Sequence, residues 1–276
     1  MIQWYPGHMA KAKREIKEVL KLADIIYLVL DARAPRSSLN PDLLTLIEDK
    51  PILYIYNKGG LADLKRLNEI IASDEIKNYT VVDALKRTNI KQITIKTDEM
   101  LKDYIQKQKE RGYKNVMLRS VVIGVPNVGK SSLINTLAKR KAASVNKLPG
   151  HTKSLTWINI SNLVYLLDSP GVLWPKFEDE ITGYNLALTG AIKEEILPKE
   201  KLANYCFNLL NQKYPNMLSS FYNIDNKNHN DFFTSLAKAR GFLNENNEAN
   251  IVQAQTTFLN DVKNGNLGVI CFDWFV

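Results

Sequence analysis

The stretch Gly124-Val-Pro-Asn-Val-Gly129-Lys130-Ser131 fits G-x-x-x-x-G-K-[ST], and it constrains this chain more than any other feature. An apolar, β-branched run from Ser120 to Ile123 leads into it, and Ser132 to Ala138 reads as helix. That strand, loop and helix are the setting a phosphate-binding loop needs. Its glycines remove Cβ obstruction, so successive backbone N–H groups and the helix N-terminus face a phosphate chain. Asn127, Val128, Gly129, Lys130, Ser131 and Ser132 are therefore candidate nucleotide contacts. Lys130 is expected to neutralise the β- and γ-phosphates. The Ser131 hydroxyl is expected to bind Mg²⁺, which takes hard oxygen ligands.

A second element follows. The apolar run Asn162 to Leu167 suits a buried strand and delivers Asp168-Ser-Pro-Gly171 at its carboxyl end, where ligands bind in parallel sheets. In this D-x-x-G pattern Asp168 is expected to hold Mg²⁺ through water and the Gly171 N–H to meet the γ-phosphate. Between the two motifs, Pro149-Gly150-His151-Thr152 offers the Thr152 hydroxyl as a further metal ligand.

The guanine reader of such a site is usually N-K-x-D at a strand end. Here the run Pro51 to Tyr56 ends on Asn57-Lys58-Gly59-Gly60, upstream of the phosphate loop, and the aspartate is missing. Asn57 can bond to the base, and the Lys58 stem can pack along its edge and brace the phosphate loop. Gly60 cannot accept the two N–H groups a carboxylate takes. Hydrogen bonds to a charged group are worth about 1.5–3 kcal/mol each, so their loss weakens affinity and base discrimination together. Asp63 lies three residues on, at the start of an expected helix, and needs a local rearrangement to reach the base. Asp83-Ala84, after Tyr79 to Val82, stands where a final base-contacting loop belongs.

The inverted order of these motifs has a physical explanation in circular permutation. Domain termini lie at the surface and close together, so an α/β sheet can be cut at one loop and rejoined at another. The segment after Gly171 then runs straight into the C-terminal region, and a γ-phosphate that orders it pulls on what lies beyond.

The chain resembles the circularly permuted ribosome biogenesis GTPase A family, related to mitochondrial ribosome-associated GTPase 1. The matching stretches are Trp4-Tyr-Pro-Gly-His-Met-Ala-Lys-Ala12, Asp31-Ala-Arg-Ala-Pro35, Asn57-Lys58, the Gly124 loop, Asp168-Ser-Pro-Gly-Val-Leu-Trp-Pro-Lys-Phe177 and Gly268 to Phe275. The resemblance implies a cytoplasmic factor for late maturation of the large ribosomal subunit. Its partners would be GTP or GDP and a subunit precursor of rRNA and ribosomal proteins, with hydrolysis stimulated by that subunit. It also implies a catalytic role for His8. Position 172 is valine, where many GTPases carry a glutamine that orients water, and the family's proposed replacement is the histidine of the N-terminal Pro-Gly-His motif. Against this stands an ordinary surface histidine. A carried-over role for Asn127 is to hold K⁺, which stands where an arginine finger otherwise stabilises transition-state charge; the alternative is an asparagine that only shapes the loop.

Composition agrees. The 276 residues carry 37 Lys and Arg against 29 Asp and Glu, a net charge of +8 and a pI near 9.2, which suits a polyanion such as rRNA. From Met9, apolar residues Ala12, Ile16, Val19 and Ala23 recur at helical spacing beside Lys11, Lys13, Arg14, Lys17 and Lys21. Either the basic face of this helix is simply solvated or it touches RNA. Cys206 and Cys271 have no metal-ligand spacing and are expected to be reduced and structural. No apolar run approaches the ~20 residues that span a bilayer, and no membrane partner is expected.

The expected architecture is α/β: a three-layer phosphate-loop GTPase domain with a parallel-type sheet at 1–175, and a smaller, mainly helical, rRNA-binding domain at 176–276. Helices are expected at Thr97 to Gln108, on the surface, and at Thr182 to Ile192, Lys201 to Leu210 and Phe232 to Phe242. The stretches Asn223 to Asn230 and Asn244 to Asn250 read as loops, and Leu267 to Phe275 as a short strand or packed tail. Gly60 keeps two rivals open: a ribosome-binding scaffold with weakened nucleotide control, and a relaxed-specificity NTPase.

Overall fold

The computed structural model describes residues 14, 16–47, 49–138, 145–147, 156–160, 164–168, 179–193, 196–224 and 229–276. Its strands are β1 (Ile25–Asp31), β2 (Ile52–Asn57), β3 (Tyr79–Val81), β4 (Leu118–Ile123), β5 (Val145–Lys147), β6 (Thr156–Asn159) and β7 (Val164–Asp168). They join one sheet in the order β3-β2-β1-β4-β7-β6-β5. The five strands from β3 to β7 run parallel, but β6 is antiparallel to both β7 and β5, so the expected parallel-type sheet ends in an antiparallel edge.

β1 reads Ile-Ile-Tyr-Leu-Val-Leu-Asp and is buried at every position, as a central strand covered on both faces must be. Alternate side chains serve alternate faces. Ile26, Leu28 and Leu30 pack with Val121 and Ile123 under α1 (helical at 14 and 16–21), α2 (Pro41–Ile47) and α3 (Leu64–Ser73). Within α1, Ile16, Val19 and Leu20 are buried while Arg14 and Lys17 are exposed. Ile25, Tyr27 and Val29 face the other way, with Ile93 of α4 (Lys91–Met100) and Leu133 of α6 (Lys130–Ala138).

The surface helix expected at Thr97 to Gln108 is two helices, α4 and α5 (Lys102–Glu110), separated at Leu101. Thr97 is fully buried rather than exposed, because its hydroxyl has two partners in the core: Tyr27 Oη at 2.7 Å and the Ile93 carbonyl at 2.7 Å.

The C-terminal region is helical: α7 (Glu180–Leu188), α8 (Lys199–Lys213), α9 (Met217–Tyr222), α10 (His229–Ala239) and α11 (Ile251–Asn264). Phe207, Phe232, Phe233 and Phe258 interlock at its centre, with ring centroids 5.0–6.2 Å apart. α7 stops at Leu188, short of the expected Ile192, where Thr189 caps it and Gly190 turns the chain at φ 77°. α10 likewise ends before Phe242.

The last residues form a tail that returns to the N-terminal half. Ile270 bridges Ala62, and the Phe272 N–H donates to the Arg33 carbonyl at 2.6 Å. The buried Asp273 carboxylate accepts from the N–H groups of Arg36 and Ser37, the Ser37 hydroxyl and the Asn185 amide. Cys206 and Cys271 are buried, and burial pushes both thiols up, away from the reactive thiolate.

Candidate nucleotide site

The parallel register sets Asp31 beside Asn57 and Val122 beside Asp168, which gathers the carboxyl ends of four strands. From β1 the chain steps outward through β2 and β3, then crosses back to place β4 on the other side of β1. Open α/β sheets bind ligands at such a reversal. The loop 124–129 leaves β4 at this point and enters α6.

Its two glycines serve close approach. Gly124 and Gly129 have φ of 154° and 95°, and a Cβ on either would strike the Val29 carbonyl or the Asn57 amide respectively. Lys130 is buried, and its ammonium lies over the loop, donating to the carbonyls of Gly124 at 3.1 Å and Val125 at 2.9 Å. Ser131 is exposed in the first turn of α6 and Ser132 is half-buried. Val128 is buried under the loop. Asn127, at φ 59°, donates its amide to the Gly190 carbonyl at 2.7 Å.

Asn57 joins both sides of the site. Its Nδ2 donates to the Val128 carbonyl at 2.8 Å, while its Oδ1 accepts from the Ala84 N–H at 3.0 Å. Each end of an amide has further capacity, a second N–H and a second lone pair. Lys58, at φ 62°, takes another direction: its ammonium pairs with Asp31 at 2.8 Å. The bracing of the phosphate loop expected from Lys58 is thus performed by Asn57.

Asp31 also receives a two-pronged contact from Arg33, at 3.0 Å and 2.9 Å. Burial alone raises a carboxyl's pKa, but the positive charges of Arg33 and Lys58 outweigh it and hold Asp31 at about 2. The same guanidinium donates to the carbonyls of Lys263 at 2.9 Å and Thr189 at 3.3 Å, so the cluster reaches the helical region.

Gly59 and Gly60 form a 3-10 turn after Lys58. The Gly60 N–H donates to the Asp83 carboxylate at 3.2 Å, and Asp83 is buried. Asp63 is committed elsewhere: it caps α3, accepting from Lys65 and Arg66 N–H groups, and accepts the Tyr214 hydroxyl at 3.1 Å. Reaching the base from there would need the local rearrangement expected of it, since all of these bonds hold it at the start of α3.

His8, Thr152 and Gly171 lie outside the described residues, and Asp168 is described only as the last backbone position of β7. Asp31 and Arg33, quoted above only for resemblance, emerge as a buried ion cluster with Lys58, the residue next to Asn57. Nothing local in the sequence pairs them with Lys58. Among the described residues, no group of three or more His, Cys, Asp or Glu side chains could hold a metal, and no helix is long and apolar enough to cross a membrane.

A family model described as a 50S ribosome-binding GTPase matches residues 119–237, a range that starts within β4 and leaves Asn57 before it. Ribosome biogenesis GTPase A of Bacillus licheniformis is 37% identical over 99% of this chain and 98% of its own length. Mitochondrial ribosome-associated GTPase 1 of Xenopus tropicalis is 38% identical over 80% of this chain and 74% of its own. The crystal structure of GNP-bound YlqF from T. maritima shares the fold, with a TM-score of 0.67 at 24% identity over 95% of this chain and 97% of that one.

Proposed function

From the premise that this chain belongs to the ribosome biogenesis GTPase A family, we propose that it serves late maturation of the large ribosomal subunit, with bound GTP gating its attachment. The chain is a GTP-hydrolysing assembly factor for ribosome biogenesis. The observation that carries the finer reading is Asn57: one buried amide holds both the phosphate loop and the Ala84 loop at the carboxyl edge of the sheet.

Lys130 and the N–H groups from Asn127 to Ser132 cradle the phosphates, and Gly171 meets the γ-phosphate. Asn57 and Lys58, with Gly59, Gly60, Asp83 and Ala84 around them, enclose the base. Ser131, Thr152 and Asp168 are hard oxygen donors that suit Mg²⁺, and Ser131 sits in the first turn of α6 immediately after the phosphate-binding lysine. When bound, the ion neutralises phosphate charge. His8 orients the attacking water once the ribosomal particle completes the site, and Asn127 would hold K⁺, which would supply positive charge toward the phosphates. Residues 1–175 form the GTPase domain and 176–276 the rRNA-binding one, within the cytoplasm.

The test is equilibrium binding of GDP, ADP and XDP, followed by GTP hydrolysis with and without large subunits. A GDP preference of tenfold, about 1.4 kcal/mol, with stimulation by subunits is the expected result. Equal affinities would favour the relaxed NTPase, and subunit binding without nucleotide binding would favour the scaffold.

A further inference from the structure

The structure assigns the missing base-reading carboxylate to Asp83, on the loop after β3, in place of the aspartate that Gly60 lacks. This rests on the nucleotide reading above and names the residue that selects guanine within it.

The geometry is specific to this pair. A Cβ built on Gly60 would lie 2.6 Å from Asp83 Oδ2, about the distance from an aspartate's own Cβ to its carboxylate oxygen across two bonds. The Asp83 carboxylate therefore occupies the space that a side chain at position 60 would fill, and the glycine leaves room for it. Its orientation is held at both oxygens: Oδ2 accepts from the Gly60 N–H at 3.2 Å and Oδ1 from the Lys86 N–H at 2.9 Å. Its backbone is pinned by a reciprocal pair with Thr88, at 3.1 Å and 3.0 Å. Each carboxylate oxygen still has acceptor capacity after one such bond.

The next residue, Ala84, is the one that Asn57 holds. The amide and the carboxylate are thus presented from one junction, which is what guanine requires: an amide for its O6 and N7 acceptors and a carboxylate for its ring N–H and amino group. Lys86 Nζ lies 2.9 Å from the same Cβ position, at the far end of an exposed side chain that can turn away from an entering base.

The experiment measures GDP, XDP and ADP binding to the full chain and to D83N, with thermal denaturation to check folding. Asn keeps the acceptor for Lys86 N–H but offers a donor where xanthine carries an oxygen. D83N is expected to lose at least tenfold in GDP affinity and to gain for XDP, with ADP unchanged. G60D/D83S, which returns the carboxylate to the Asn57 loop, is expected to regain the GDP preference, and it decides the matter should D83N not fold. A D83N protein with the wild-type GDP to XDP ratio, or a G60D/D83S protein with no guanine preference, would overturn the assignment while leaving nucleotide binding standing. A wild-type chain that binds none of the three would overturn both.

Discussion

Asn127 donates its side-chain amide to the carbonyl of Gly190 at 2.7 Å, and so ties the phosphate loop to the turn that ends α7. Because Nδ2 is the donor, the oxygen end of the amide is the one left to meet a cation. Hydrolysis by the wild-type protein is expected to be faster in KCl than in NaCl, and N127A should lose the difference along with about 1 kcal/mol of stability. Equal wild-type rates in the two salts would remove potassium from the mechanism.

Asn57 is 2% exposed, so replacing it with alanine strands two buried partners, the Val128 carbonyl and the Ala84 N–H. A buried group left unpaired costs about 1–3 kcal/mol. N57A is therefore expected to lose about 2–4 kcal/mol in urea denaturation and more than tenfold in GDP affinity. A variant as stable as wild type would show that the amide does not hold the loops together.

Asp31 gives the molecule an acid sensitivity whose direction follows from its depressed pKa. Its contribution is fully present above the ordinary value of 3.8 and is lost as pH falls through about 2. That interval corresponds to about 2 kcal/mol. Unfolding free energy measured between pH 5 and pH 2 should fall by about that much more in wild type than in D31N. D31N itself should be destabilised at neutral pH, because Arg33 and Lys58 then face a neutral amide. Parallel pH profiles would mean that the three charges are not coupled.

His8→Ala is expected to abolish subunit-stimulated hydrolysis while GDP binding stays within twofold of wild type. Single-turnover rates with and without large subunits read this directly. A variant that is stimulated as strongly as wild type would leave His8 as an ordinary surface residue.

What could be read in the sequence was local in the chain. The phosphate loop is contiguous, its glycines and lysine are diagnostic, and the flanking strand and helix follow from periodicity alone. Asp63 as a helix cap was equally accessible, since it immediately precedes the apolar spacing of Leu64, Leu67 and Ile71. Pairings across the fold were not. Lys58 turns from the phosphate loop because a carboxylate from the neighbouring strand, Asp31, pairs with it, and Asn127 finds Gly190 only once the helical region has docked. Thr97, set among charged residues, reads as surface until Tyr27 supplies its buried partner. The antiparallel β6 has no signature distinguishing it from a parallel neighbour.

The place of β1 between β2 and β4 bears on how the protein is made. As the chain is synthesised from its amino terminus, β1 can pair with β2 at once, but its other edge stays open until residues 118–123 emerge. That edge belongs to an almost wholly apolar strand, the kind most prone to pair with the wrong neighbour. When β4 does arrive it seals the edge and delivers the phosphate loop in the same step. A nascent chain therefore has no grip on nucleotide until the middle of its sheet has closed, and the ligand can stabilise only chains that have already passed their most vulnerable stage.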